Sequence, residues 1–194
     1  MSAKQPLDTS HSYIVMGSNQ KSEFGDPKET LGKIQSRLLD RGVLIRKMSR
    51  IFQTPAFPAG SGPDFANAAA AVEHAGSAGD ILQILHQIED QLGRTRTKRW
   101  GPRVIDLDLV ATEQQVLPSE KVFRAWMELP LELQTQTAPR ELILPHPRMQ
   151  DRAFVLVPLM EVAPDWKHPV LGKTVREMCA ALPGYLLDDV KPLQ

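Results

Sequence analysis

The chain has 194 residues and a mass of 21.6 kDa, enough for one domain with a proper core. Its 23 basic and 23 acidic residues balance, which excludes the strongly cationic footprint of a duplex nucleic-acid binder. The single cysteine, Cys179, excludes an internal disulfide, and no apolar run approaches the roughly 20 residues that span a bilayer. The polar stretch 1–12 has no apolar segment of the signal-peptide kind and is expected to be a disordered lead-in to a soluble, cytoplasmic protein.

Tyr13-Ile14-Val15-Met16 reads as a first strand stopped by the turn Gly17-Ser18-Asn19. Asp26-Pro27-Lys28-Glu29 then opens a helix with an Asp capping box and Pro at its first position. Leu31, Ile34, Leu38 and Leu39 recur at helical spacing, and Gly42 stands where a C-terminal cap belongs. Val43 to Gln53 reads as one strand, and the Pro- and Gly-rich run Thr54 to Pro63 as a surface loop. Phe65 to Glu73 balances alanine's helix propensity against a strand-like length and a turn-rich flank, and is read as a strand.

Ser77 to Asp80 opens a second helix with Ile81, Leu85, Ile88 and Leu92 on one face, ended by Gly93. An arginine-rich connector follows, and then the apolar run that carries Asp106 and Asp108. Strand, helix, strand, strand, helix, strand is the order of a ferredoxin-like βαββαβ core. It is an α+β fold with helices packed on one face of an antiparallel sheet. Residues 112–141 lack a clear period and are expected to be irregular. Met149 to Met160 reads as helical, and Thr174 to Leu182 as a last short helix before a tail from residue 186.

The chemistry concentrates in Arg99-Trp-Gly-Pro-Arg-Val-Ile-Asp-Leu-Asp-Leu-Val110. In a strand Asp106 and Asp108 point one way while Ile105, Leu107 and Leu109 point the other. Two neighbouring carboxylates repel unless a cation lies between them, and hard oxygen ligands suit Mg²⁺. Taken alone, the Asp-x-Asp pair fits a surface salt bridge about as well as a metal site. The context favours the metal, because aspartate is disfavoured inside a strand. Arg94, Arg96, Lys98, Arg99 and Arg103 add five cations within ten residues, and arginine forks match phosphate oxygens. His146, between two prolines, reads by itself as a structural residue. Trp100, Phe57, Phe65 and Phe154 read as core filler or as stacking surfaces for a flat heterocycle.

The Arg-Trp-Gly-Pro-Arg-x-x-Asp-x-Asp segment resembles the signature of the 6-hydroxymethyl-7,8-dihydropterin pyrophosphokinase family. Met16 to Asn19, Phe52 to Pro55 with Phe65 to Ala68, and Leu144 to Phe154 resemble that family in the same order. Together they span about Tyr13 to Pro164. The resemblance implies transfer of diphosphate from ATP to the hydroxymethyl group of the pterin in folate biosynthesis, with release of AMP.

By the same resemblance Asp106 and Asp108 hold two Mg²⁺ ions, and Arg94, Arg96 and Arg103 stabilise the charge of the transferred group. ATP, the co-substrate, falls to Glu89, Leu109, His146 and Arg152. The pterin falls to Thr54, Pro55, Phe57, Phe65, Asn67, Trp100 and Phe154. The chain departs from the family pattern at Phe65, where Tyr is common, and in a slightly short Gly93–Trp100 connector. A segment of about 117–140 is inserted after the fourth core strand. A single domain over 13–185, monomeric and acting on small molecules rather than nucleic acid or membrane, is expected. Two rival readings stay open: a palm-like Mg-dependent nucleotidyltransferase, which would release pyrophosphate, and a non-catalytic RNA- or ligand-binding ferredoxin-like module.

Overall fold

Alternation along the strands decides which side chains meet which layer. The computed structural model describes residues 9–56, 60, 62–93, 103–130, 133 and 137–193. Strand β1 (Thr9–Ser18) pairs antiparallel with β4 (Phe65–Ala75) on one side and β5 (Asp106–Thr112) on the other. The far edge of β4 carries β2 (Leu44–Met48) and then β3 (Phe52–Thr54). Helices α1 (Pro27–Gly32), α2 (Ile34–Leu39) and α3 (Ala78–Gln91) connect these strands, completing the ferredoxin-like βαββαβ core.

On one face Ile14, Met16, Ala68, Ala70, Val72, Leu107 and Leu109 meet Leu31, Ile34, Leu38, Ile81, Leu85 and Ile88 from the three helices. On the other, Val15, Ala69 and Val110 meet Val155, Leu156 and Leu159, which belong to α5 (Ala153–Val162). Val175 and Met178, from α6 (Val175–Ala180), extend that second cluster. Helices therefore cover both faces of the sheet rather than the one face expected. The alanines of β4 explain the close approach from both sides: Ala68, Ala69 and Ala70 are completely buried, and none projects past its Cβ.

Several boundaries move. The sheet starts at Thr9, inside the stretch expected to be a lead-in, because its polar residues find partners across the strands. Ser12, fully buried, bonds Thr112 Oγ1 at 2.8 Å and His74 Nε2 at 3.1 Å through its hydroxyl. The first helix breaks at Lys33 into α1 and α2, just after Gly32, a residue that weakens a helix interior. The strand expected over Val43 to Gln53 breaks at Ser49, which caps Ala69 twice. Its amide donates to the Ala69 carbonyl and its Oγ accepts from the Ala69 amide, both at 2.9 Å.

Inside the stretch expected to be irregular lies α4 (Glu120–Met127), capped by Ser119 and braced by a Glu120–Arg124 pair. The helix read over Met149 to Met160 is a 3₁₀ turn (Met149–Asp151) and α5, separated by an extended Arg152. The tail after residue 185 is structured: α7 (Gly184–Asp188) leads to β6 (Lys191–Pro192), which pairs with β3.

Candidate active site

The register of the three central strands builds the site. Gly17 of β1 stands opposite Asn67 of β4 on one side and Asp106 of β5 on the other. One row across the sheet thus reads Asn67, Gly17, Asp106, and the next reads Ala69, Val15, Asp108. Asp106 and Asp108 share the α5-side face, while Leu107 and Leu109 between and beyond them sit in the opposite core. Glycine is required at the centre of the first row. A Cβ there would stand 2.7 Å from Asn67 Oδ1 and 3.5 Å from the Phe65 ring. Asn67 is itself fixed, its Nδ2 donating to Thr54 Oγ1 at 2.7 Å, so its carbonyl oxygen stays on the glycine side.

The turn after β1 holds the segment that leads into β5. Asn19 Oδ1 accepts from the Arg103 amide at 2.7 Å, and the Asn19 amide donates to the Arg103 carbonyl at 3.0 Å. Ser18 Oγ donates to the Val104 carbonyl at 2.6 Å. Arg103, pinned by its backbone, ion-pairs with Asp106. From below, Glu89 Oε1 accepts the Leu107 amide at 2.7 Å, so the residue between the two aspartates is tied to α3.

Positive groups arrive from residues 146–152. The His146 amide donates to the Val110 carbonyl at 2.7 Å, docking this segment on the end of β5. His146 Nδ1 accepts from the Arg148 amide at 3.1 Å, so the neutral ring carries its proton on Nε2. Burial, reinforced by Arg152, pushes the His146 imidazole down to about 3, so it remains a neutral donor at ordinary pH. Burial also lowers Arg152, while the charges of Asp108 and Asp106 pull the other way, which places this guanidinium in the field of both carboxylates. The same guanidinium lies 5.6 Å from the centre of the Phe154 ring.

Two carboxylates on one face, with Arg103, Arg152 and a neutral imidazole donor around them, suit a hard cation carrying phosphates. Among the described residues no group of three or more His, Cys, Asp and Glu side chains converges on a metal position. A cation at the aspartates would complete its shell from substrate oxygens and water, which is the habit of Mg²⁺ rather than of a closed zinc site.

Residues 13–164 match the family model of 7,8-dihydro-6-hydroxymethylpterin-pyrophosphokinase. The chain belongs to that family. It is 34% identical over 171 residues to the 2-amino-4-hydroxy-6-hydroxymethyldihydropteridine pyrophosphokinase of Methylorubrum extorquens, covering 88% of this chain and 92% of the relative. The enzyme of the same name from Bacillus subtilis is 34% identical over 152 residues, 77% of this chain and 76% of that one. Among solved structures, a Plasmodium falciparum HPPK-DHPS with pterin and p-hydroxybenzoate superposes with a TM-score of 0.66 at 14% identity. That match covers 98% of this chain and 48% of the other, so the chain spans about half its length and the likeness is one of fold.

Within the pyrophosphokinase fold, Thr54, Phe65 and Asn67 gather on one side of Gly17, and Asp106, Asp108, Arg103, His146 and Arg152 on the other side. Pro55 continues exposed from the end of β3, and Phe154 opens α5 under the Arg152 guanidinium. Two expected ATP contacts sit differently. The Leu109 side chain is 4% exposed in the α3-side core, because it alternates with the aspartates. Glu89 is wholly buried between α3 and β5 and supports the strand. Arg94, Arg96, Phe57 and Trp100 lie outside the described residues. Gly17, Ser18 and Asn19, which read as a turn and as part of a segment resembling the family, set the floor of the site, and Asn19 clamps Arg103.

Proposed function

We propose that the α5-side face of β1, β4 and β5 is where this chain carries out the diphosphate transfer of its family, from ATP to 6-hydroxymethyl-7,8-dihydropterin with release of AMP. The row Asn67, Gly17, Asp106 carries this reading. It sets an amide with donor and acceptor capacity beside a carboxylate, with no side chain between them. The pterin lies over Gly17 with its polar edge toward Asn67 and Thr54, bordered by Phe65 and Phe154, with Pro55, Phe57 and Trp100 completing its surroundings. Its hydroxymethyl group then faces Asp106 and Asp108.

In the reaction the hydroxymethyl oxygen attacks the β-phosphorus, the bond from that phosphorus to the oxygen of the α-phosphate breaks, and the hydroxyl proton is released. Asp106 and Asp108 would hold two Mg²⁺ ions, which would neutralise phosphate charge during the transfer. Arg103, Arg94 and Arg96 would stabilise the charge of the transferred group, and Arg152 would bind the phosphates of ATP. His146, neutral and protonated on Nε2, would donate to a phosphate oxygen without needing to change its charge. Glu89 and the main chain of Leu109 would support the nucleotide side. Monomeric action in the cytoplasm fits this small-molecule chemistry. Among the described residues no helix is long and apolar enough to cross a membrane.

Separate titration of the two substrates tests the placement. Asn67→Ala should raise KM for the pterin and leave KM for ATP within about twofold, whereas His146→Ala should do the reverse. Each substitution removes about one hydrogen bond's worth of binding, on the order of tenfold. Equal effects on both substrates would contradict the division of the site at Gly17.

A further inference from the structure

The excursion between β5 and the 146–152 segment is closed at its neck and rooted at two further points. At the neck, the Leu117 amide donates to the Leu144 carbonyl at 2.9 Å and the Leu144 amide donates back at 3.1 Å. Inside it, α4 buries one large side chain completely, Phe123, whose ring lies 5.3 Å from His168. His168 stands 5.8 Å from Trp166, and Trp166 stands 5.6 Å from Tyr13 of β1, so a row of rings joins α4 to the central strand. Two residues beyond α4, the Leu129 carbonyl accepts from Arg148 Nη2 at 2.7 Å. Arg148 also donates through Nη1 to Asp151 Oδ2 at 3.1 Å, and its amide is the donor that fixes His146 Nδ1.

We propose that this excursion is a positioning element for the nucleotide side of the site, with Arg148 as its contact residue. Phe123 anchors α4, α4 sets the height of the Leu129 carbonyl, and that carbonyl orients the Arg148 fork. Arg148 then holds the backbone of the 146–152 turn so that His146 presents Nε2–H and Arg152 stays beside the aspartates. The pterin side is built from β1, β3 and β4. The excursion touches β1 through Glu113, whose amide donates to the His11 carbonyl at 2.8 Å at the end of the strand away from Gly17, but residues 118–143 have no hydrogen bond to β1, β3 or β4 among those described. The effect therefore falls on ATP. This inference rests on the assignment of His146 and Arg152 to the ATP phosphates.

The neck gives a direct test. Because Leu117 and Leu144 already face each other as a hydrogen-bonded pair, residues 118–143 can be replaced by an Asn-Gly turn. A second variant, Arg148→Lys, keeps the charge but cannot hold Leu129 and Asp151 together. Each should raise KM for ATP by about tenfold, the loss expected for one charge-assisted hydrogen bond, with KM for the pterin within about twofold. His146→Ala serves as the reference. If it raises KM for ATP while neither variant does, the positioning role is wrong. If His146→Ala leaves KM for ATP unchanged, the phosphate assignment beneath it is wrong. A parallel rise in both KM values would assign the excursion a merely structural role, and should the excised chain fail to fold, Arg148→Lys alone decides.

Discussion

Glu89 accepts the Leu107 amide at 2.7 Å, so a carboxylate wholly enclosed beneath the sheet fixes the one residue that separates Asp106 from Asp108. A buried acceptor of this type holds the geometry of the acidic face through the backbone of β5. Glu89→Ala strands a buried amide donor and should cost about 1–3 kcal/mol of stability together with a fall in kcat. Glu89→Gln, which keeps an acceptor, should recover most of the stability. Urea unfolding of the two variants checks this, and equal losses would show that the charge rather than the hydrogen bond matters.

Gly17 should tolerate no side chain. Gly17→Ala places a methyl 2.7 Å from Asn67 Oδ1, so either Asn67 leaves Thr54 or β1 shifts away from β4. Overpacking of this kind costs on the order of 1–3 kcal/mol. KM for the pterin should rise at least tenfold, with a smaller change for ATP. Unaltered pterin kinetics would remove Gly17 from the floor of the site.

The acidic pair should be costly to stability and necessary for activity. Asp108→Asn relieves repulsion with Asp106 on the same face, so the unfolding midpoint should stay level or rise in metal-free buffer. Turnover should nevertheless drop by at least about a hundredfold, the scale expected when a group that holds the reacting charge is removed. A variant that loses stability and activity in proportion would instead mark Asp108 as structural.

Acid should loosen the fold through its histidines before it reaches most carboxylates. Burial holds His168 down at about 4, and its ring packs on Phe123 and Trp166. His146 is held at about 3. Both fall below the ordinary histidine value of 6.5. The unfolded chain thus takes up protons that the folded chain refuses. Stability should be full above about pH 6.5 and decline as pH falls toward 4, by up to about 1.4 kcal/mol per pH unit for each such group. Denaturant unfolding across pH 8 to 4.5 measures this decline, and His168→Gln should remove part of the slope. A flat profile over that window would contradict it.

The strands and helices that carry a clear period were readable from their residues. Ile81, Leu85 and Ile88 marked α3, and the alternation around Asp106 and Asp108 marked β5 and its acidic face. What escaped depended on distant partners. Helix α4 buries only Phe123 completely, so its apolar stripe is too thin to see without His168 beneath it. Strand β6 has two residues and exists only because β3 offers an edge, while Ser12 lies inside because Thr112 and His74 satisfy its hydroxyl. At the site, the carboxylates and arginines announced phosphate chemistry by type. The role of Gly17 needed the strand register, since an absent side chain carries no signal until its neighbours are known.

Product identification with the purified chain, ATP, Mg²⁺ and 6-hydroxymethyl-7,8-dihydropterin tests the acidic face as a diphosphate-transfer centre most directly. AMP should appear in step with the pterin diphosphate, and Asp106→Asn and Asp108→Asn should each abolish both products while remaining folded. Release of pyrophosphate in place of AMP, or undiminished AMP from either folded variant, would contradict the account.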